Sequence, residues 1–484
     1  MVRRDIVRRW LLLLLPIIMI FMQGLYRNVQ CAIAVVFASV LIWNFKISIK
    51  QSIGVLLLIA GLIISDIFVG HSINFLYEGL KIALLFAGIS VSKSEDKKTL
   101  ISGFYIGISI ASFIGIAAYI FGIDGYELIN SIDGARVLQG VFGYANTLAL
   151  FSGIGIILSV HYRMLNKDYK FIHECILIVN AIGLLLTKSL FGLAALIFAI
   201  LVTLFIRFKK SRKYILISVG AVAIIVLGIF LTGNEEVLLR STVASRLIYW
   251  QDALKVIIKY PLGIGVHNWE SIQYGVQTAD YSVKYVHNGF IQLQLDGGIL
   301  AFAGLALLIV YGYIGIIREY AEKKNELYLC LIAILTFIVA HSFVDINFAY
   351  GIVWFLLGLI LSLSRTEKVM KSKLVLPIIL IAVALIAVIV PEKEYVNPHP
   401  IEYQQAYEKN DLEKMNRISA EWIENAPRQQ AAYYARYYVL DKLKDNKGLI
   451  ELQSQKEEVN KTMNGLCKYL TRHKEIVLPE VIKE

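Results

Sequence analysis

Long apolar runs recur along this chain from Trp10 to beyond Leu374, and many reach the roughly 17 to 25 residues that a helix needs to cross about 30 Å of hydrocarbon. Inside lipid every backbone N–H and C=O must find a partner within the protein, which leaves helices or closed barrels. These runs are continuous rather than alternating, so the expected fold class is all-α, a polytopic transmembrane helical bundle. Composition agrees: 57% of the 484 residues are hydrophobic, 18% are charged, and the mean hydropathy is +0.64. A soluble globule is thereby excluded.

A window of about 19 residues gives roughly 13 spans. They begin near Trp10, Val29, Ser52, Asn74, Leu100, Ala145, Phe171, Leu190, Tyr214, Gly289, Leu327, Phe348 and Leu374. Lys and Arg gather in alternate connections: the N-terminus, Lys46/Lys50, Lys93/Lys97/Lys98, Arg163/Lys167/Lys170, residues 207–213, Arg318/Lys323/Lys324 and residues 365–373. That side is read as cytoplasmic, which puts the N-terminus inside and, with an odd span count, the C-terminus outside. The net charge of +11 is thus topological, and no nucleic-acid partner is inferred. Cys31, Cys175, Cys330 and Cys467 form no C-x-x-C pair and suggest neither a disulfide nor a metal site. The apolar run behind Arg3, Arg4, Arg8 and Arg9 lacks a small-x-small cleavage site and is read as a retained first helix.

On this topology three extracytoplasmic segments are long: 122–144, 233–287 and the tail from Glu392. The expected division is a membrane domain over 1–391, containing a large loop at 233–289, and a helical hairpin domain over 392–484. Within the loop, Leu247, Trp250, Leu254, Ile257 and Ile258 recur at helical spacing and Pro261 stops the run, predicting an amphipathic helix at the membrane surface. In the tail, Asp411 is placed to cap a helix bearing Leu412, Met415, Ile418 and Trp422, and further helical patterns follow Pro427 and Lys447. No clean 34-residue repeat is visible, so a tetratricopeptide-like tail stays open.

An enzyme outside the cytoplasm has no nucleoside triphosphate supply and needs a substrate already activated, such as a lipid-linked pyrophosphate. Candidate cations for it are Arg136, Lys188, Arg240, Arg246 and Lys284, since guanidinium groups grip phosphate oxygens bidentately. Each can equally pair with lipid headgroups or a nearby carboxylate. His287, in Tyr285-Val286-His287-Asn288-Gly289, can take a proton from an attacking hydroxyl, or simply cap the helix that follows. His341 and Asp345 share a helix face and read foremost as a buried structural pair, and Glu78 and Lys81 as a neutralising one. Without Asp-x-Asp in an outer loop or H-E-x-x-H, no metal or other cofactor is expected. Gly263 and Gly265 after Pro261 shape a loop more readily than they cradle a phosphate.

Taken together, these residues resemble the O-antigen ligase and O-antigen polymerase family of bacterial envelope glycan enzymes. The stretch that carries the resemblance is Ser245-Arg246, Trp250, Ala253-Leu254, Pro261-Leu262-Gly263-Ile264-Gly265, His287-Asn288 and Asp296-Gly297-Gly298. Two further strings are similar, Arg136 through Gly143-Tyr-Ala-Asn146 and His341-Ser342-x-x-Asp345. Thr187-Lys188-Ser189-Leu190 departs from the family pattern, where an arginine often follows the serine, and Asp296 stands where a glutamate is more usual.

The resemblance implies inverting glycosyl transfer from a polyprenyl-pyrophosphate-linked glycan to a hydroxyl of a glycan or lipid-glycan acceptor. It implies no metal and a site on the outer side of the bacterial plasma membrane. Arg246 and Arg136 would hold the pyrophosphate, Lys188 could substitute for the missing arginine, and His287 would be the general base. Trp250, Asn288, His341 and Asp345 would support them. The alternative is a transporter or flippase of lipid-linked polysaccharide, but two related halves with broken midplane helices are not seen.

Overall fold

A computed structural model describes residues 2–42, 45–70, 73–123, 127–132, 135–215, 217, 241–364, 369–372, 375–390, 395, 397–469 and 476–479. Over these residues the protein is all-α apart from two short strand pairs. The elements run α1 (Val2–Phe21), α2 (Asn28–Leu41), β1 (Phe45–Ser48), α3 (Ile49–Ser65), α4 (Phe75–Ile89), α5 (Ser94–Phe121), β2 (Ile129–Ile132), β3 (Ala135–Leu138) and α6 (Ala145–Leu165). Next come α7 (Lys170–Leu186), α8 (Leu190–Arg207), α9 (Ser241–Lys259), α10 (Trp269–Val276), α11 (Gly289–Lys323), α12 (Glu326–Ser342), α13 (Gly351–Ser362), β4 (Val369–Ser372) and α14 (Val375–Ile389). Four helices close the chain: α15 (Pro398–Glu408), α16 (Leu412–Asn425), α17 (Gln430–Lys442) and α18 (Asn446–Lys461). Strand β1 pairs antiparallel with β4, and β2 with β3 in a hairpin that sets Ser131 opposite Arg136.

The chain divides into two compact units, one of Met1–Ile64, Ile73–Ile217 and Ile299–Glu392, the other of Ser65–Ser72, Ser218–Gly298 and Lys393–Glu484. In the first unit lie most of the long apolar helices. Six helical segments among the described residues are long and apolar enough to cross a membrane: Ile49–Val69, Ser94–Phe121, Ala145–Leu165, Lys167–Leu186, Leu190–Arg207 and Gly289–Lys323. Shorter apolar helices accompany them at Asn28–Leu41, Glu326–Ser342, Gly351–Ser362 and Pro377–Ile389. Each expected span start among the described residues falls in or beside a helix, although most of the run from Tyr214, and Leu374 itself, lie outside them.

Between Lys170 and Arg207 at their ends, α7 and α8 expose mainly apolar side chains, among them Ile178, Leu185, Ile197 and Phe198, which is the surface lipid requires. Where helices cross closely, small residues allow it. A Cβ on Gly358 of α13 would stand 2.1 Å from the Leu85 carbonyl of α4, so only glycine fits that crossing. Glu78 and Lys81 form the buried ion pair expected of them.

The second unit joins the large loop to the tail, across the boundary at 391/392 drawn from composition. Its first core gathers Ala244, Ile248, Ala253, Val256 and Ile257 of α9 with Trp269, Val286 and Leu295, and also Cys467 from the tail. Of the stripe predicted to lie at the membrane surface, Leu254 and Ile258 are exposed, whereas Ile257 enters this core and Trp250 packs against it. Its second core joins Tyr274 of α10 to Trp422, Tyr433, Leu440 and Leu449.

The tail is two helical hairpins rather than one. Asp411 and Asp445, 34 positions apart, each cap the second helix of a hairpin by accepting from Lys414 N and Gly448 N. Each cap follows a residue with left-handed backbone, Asn410 at φ 54° and Lys444 at φ 55°. This geometric period equals that of tetratricopeptide arrays. The tail tyrosines divide: Tyr433 is wholly buried and Tyr437 packs in the core, whereas Tyr434 and Tyr438 are exposed.

Candidate functional site

Helix α9 and the turn that opens α11 place the main sequence candidates together. At i, i+3 and i+4 on α9 stand Arg246, Tyr249 and Trp250, neighbours on a helix surface. Arg246 is buried, while the other two are half-buried. The Tyr249 ring lies 6.2 Å from the His287 ring, with the planes inclined by 31°, and 4.6 Å from the Tyr281 ring. Burial raises the Tyr249 phenol above its ordinary value, opposed by the Ser245 hydroxyl and the Arg246 charge. One tyrosine thus links the candidate cation to the candidate base, and it was absent from the sequence reading. The available signal was its i+3 spacing from Arg246.

The backbone of His287 is unusual. Its φ of 51° is left-handed, a conformation that costs a non-glycine residue about 1–3 kcal/mol and persists only where neighbours over-determine it. Those neighbours act on Val286: Trp250 Nε1 donates to its carbonyl at 2.9 Å, and its N–H donates to Gln292 Oε1 at 3.1 Å. Gln292 is held in turn, its Nε2 donating to Asp296 Oδ1 at 3.0 Å. Asn288 Oδ1 accepts from Phe290 N and Ile291 N at 3.0 and 3.1 Å, capping α11. Trp250, Asn288 and Asp296 are therefore scaffold for the turn, and His287 projects from it half-buried.

The glycine-rich turn after Pro261 is also scaffold. Ile264 N donates to Leu295 O and Gly265 N to Ser65 Oγ, both at 2.7 Å, so these amides are already engaged. Gly263 and Gly265 have φ of 94° and 87°. Opposite them α11 breaks at Gly298 (φ 65°, ψ −167°), where a Cβ would lie 2.2 Å from the Leu262 carbonyl carbon. Beneath the site, the fully buried Asp252 accepts from Thr278 N at 2.8 Å, Tyr281 OH at 3.0 Å and Lys255 Nζ at 2.9 Å. Burial and this carboxylate push the Tyr281 phenol far up, fixing it as a neutral donor.

The remaining candidates have surroundings of their own. Lys284 faces Glu270 at 4.0 Å and lines a different cavity, described below. Arg240 lies outside the described residues. In the first unit Arg136 is exposed on the β2–β3 hairpin, its guanidinium 4.8 Å over the Tyr119 ring and Nη2 donating to Tyr119 O at 3.0 Å. Lys188, also exposed, occupies the turn between α7 and α8 with φ of 53°.

His341 and Asp345 are fully buried, and each has partners of its own. Asn347 Nδ2 donates to His341 Nδ1 at 2.9 Å. Asp345 accepts from Ile346 N at 2.7 Å, Tyr144 OH at 3.3 Å and Asn146 Nδ2. The Gly-x-x-Asn string and the His-Ser-x-x-Asp string, distant in sequence, therefore meet at one carboxylate.

Residues 175–318 match the O-antigen ligase family. The matched segment contains Lys188, Arg246, Trp250, Lys284, His287 and Asn288, and it ends before His341. Over this segment the recognition made from the sequence is borne out. No curated protein matches the chain.

Proposed function

We propose that the protein is a membrane glycosyltransferase that moves or polymerises a polyprenyl-pyrophosphate-linked saccharide onto an acceptor hydroxyl. The transfer is inverting, needs no metal, and takes place at the extracytoplasmic face of the bacterial plasma membrane. The observation that carries this reading is the grouping of Arg246, Tyr249 and His287, within the segment that matches the O-antigen ligase family. The alternation of Lys- and Arg-rich connections supports the topology of about 13 spans, with the loop and tail outside.

In this reading Arg246 grips the pyrophosphate, and its burial strengthens the charge-assisted bonds. His287 accepts the proton of the acceptor hydroxyl as that oxygen forms its bond to the anomeric carbon. The bond from that carbon to the pyrophosphate oxygen breaks on the opposite face, so configuration inverts and the lipid pyrophosphate departs with the electron pair. Arg136 and Lys188 are assigned further contacts to donor phosphate, whereas Lys284 is left out because Glu270 already neutralises it.

The test uses purified full-length protein in liposomes with a polyprenyl-pyrophosphate-linked oligosaccharide, following chain length and carrier. Wild type lengthens the glycan or changes its carrier, and His287→Ala lowers the rate by about 10²- to 10⁴-fold with insertion unchanged. Turnover retained in the variant removes the assigned base, and a substrate that only crosses the bilayer would point to transport.

A further inference from the structure

A second cavity in the loop-and-tail unit has chemistry unlike that around Arg246. It measures about 470 Å³, within the range of small-molecule sites. From the loop it is lined by Glu270, Asp280, Lys284 and Tyr274, and from the tail by Tyr395 and Gln429, whereas His287 does not line it. Two carboxylates against one ammonium leave these groups net negative, which opposes phosphate. The Tyr274 and Tyr395 rings stand 6.2 Å apart, inclined by 43°, as an aromatic wall.

We propose that this cavity binds one sugar residue of the glycan, an uncharged or amino sugar without acidic groups. The apolar C–H face of a pyranose suits an aromatic wall, and its hydroxyl edge suits paired carboxylate and amide oxygens. The walls are preorganised. Gln430 N donates to Asp280 Oδ2 at 3.1 Å, Tyr274 OH meets Ser282 Oγ at 2.8 Å, and Trp422 Nε1 donates to Gln429 Oε1 at 2.7 Å. A ligand therefore meets a formed site and bears little of the cost of ordering it. The choice of a sugar rests on the glycosyl-transfer reading, and the cavity would hold the glycan at a position other than the reacting anomeric carbon.

The test is saturation-transfer NMR with titration on the full-length protein in detergent, using three probes: chitotetraose (neutral), its de-N-acetylated form (amino) and tetragalacturonate (acidic). The neutral or the amino probe binds. Glu270→Gln and Tyr395→Ala each weaken it by about tenfold or more, and tetragalacturonate binds less well than either. His287→Ala binds the probe as wild type does while its transfer falls by about 10²- to 10⁴-fold, which separates this cavity from the reaction centre. Should Tyr395→Ala lower the melting temperature, Glu270→Gln decides, because it preserves shape. Absence of binding by both non-acidic probes, preference for the acidic one, or unchanged affinity in Glu270→Gln overturns the proposal. Transfer without probe binding defeats this inference alone, and probe binding without transfer defeats only the transferase reading.

Discussion

Replacing Trp250 by Phe keeps an aromatic ring on α9 but removes the indole N–H that holds the Val286 carbonyl at 2.9 Å. Val286 is wholly buried, so its carbonyl loses its partner where water does not readily replace it, at a cost of about 1–3 kcal/mol. That is the same size as the roughly 1–3 kcal/mol of strain in a left-handed non-glycine turn, so relaxation of His287 becomes competitive with its native pose. At 1.4 kcal/mol per factor of ten, kcat should fall between about fivefold and a hundredfold. The hydrogen bond acts on the position of the base and not on donor binding, so KM for the lipid-linked donor should stay within about twofold. The assay is steady-state transfer in liposomes beside a thermal unfolding scan. Wild-type kcat in a folded Trp250→Phe protein, or a loss confined to KM, would refute Trp250 as the positioning residue for His287.

Arg246→Lys should reduce transfer by at least about tenfold, because a point charge does not reproduce the planar fork, and an unchanged rate would demote Arg246 to a structural cation. Asp252→Ala strips Thr278, Tyr281 and Lys255 of a shared acceptor and should destabilise the loop-and-tail unit by about 3–5 kcal/mol, read as faster limited proteolysis between residues 260 and 285. The Cys467 thiol is pushed up to about 11, chiefly by burial. A group raised above its unfolded value stabilises fully below that value and loses the contribution as pH climbs through the folded one. Melting temperature should therefore drop more steeply between about pH 9 and 11 in wild type than in Cys467→Ala, and parallel curves would contradict the burial.

The helices of the membrane unit were legible because lipid imposes one rule on every residue of a span, and run length alone reports it. The cap at Asp411 was legible for a local reason, since a side-chain oxygen three positions before Lys414 N suffices. What the sequence did not show was non-local. On α9 period marked the stripe with Leu254 and Ile258, which is exposed, but not the small Ala244 and Ala253 that pack inward.

Joining tail to loop depends on contacts between residues about 200 positions apart, such as Asn464 N donating to Thr278 O at 2.9 Å, which no window detects. The hairpin repeat escaped because it survives as backbone geometry at Asn410-Asp411 and Lys444-Asp445, with little shared side-chain identity. At the site, His287 and Arg246 were readable as residue types. Tyr249, which brings them together, reads in sequence as an ordinary helix aromatic.

The presence of Cys467 in the core built around α9 has a consequence for biogenesis. The loop leaves the ribosome roughly 200 residues before the segment that completes its interior, so it must wait, unfinished, while the later membrane helices insert. A nonsense mutation between Ile389 and Asn464 would spare the described apolar helices yet leave the loop without part of its interior and open to proteolysis. Loss of function from such alleles would then reflect clearance of the protein rather than a missing reactive group.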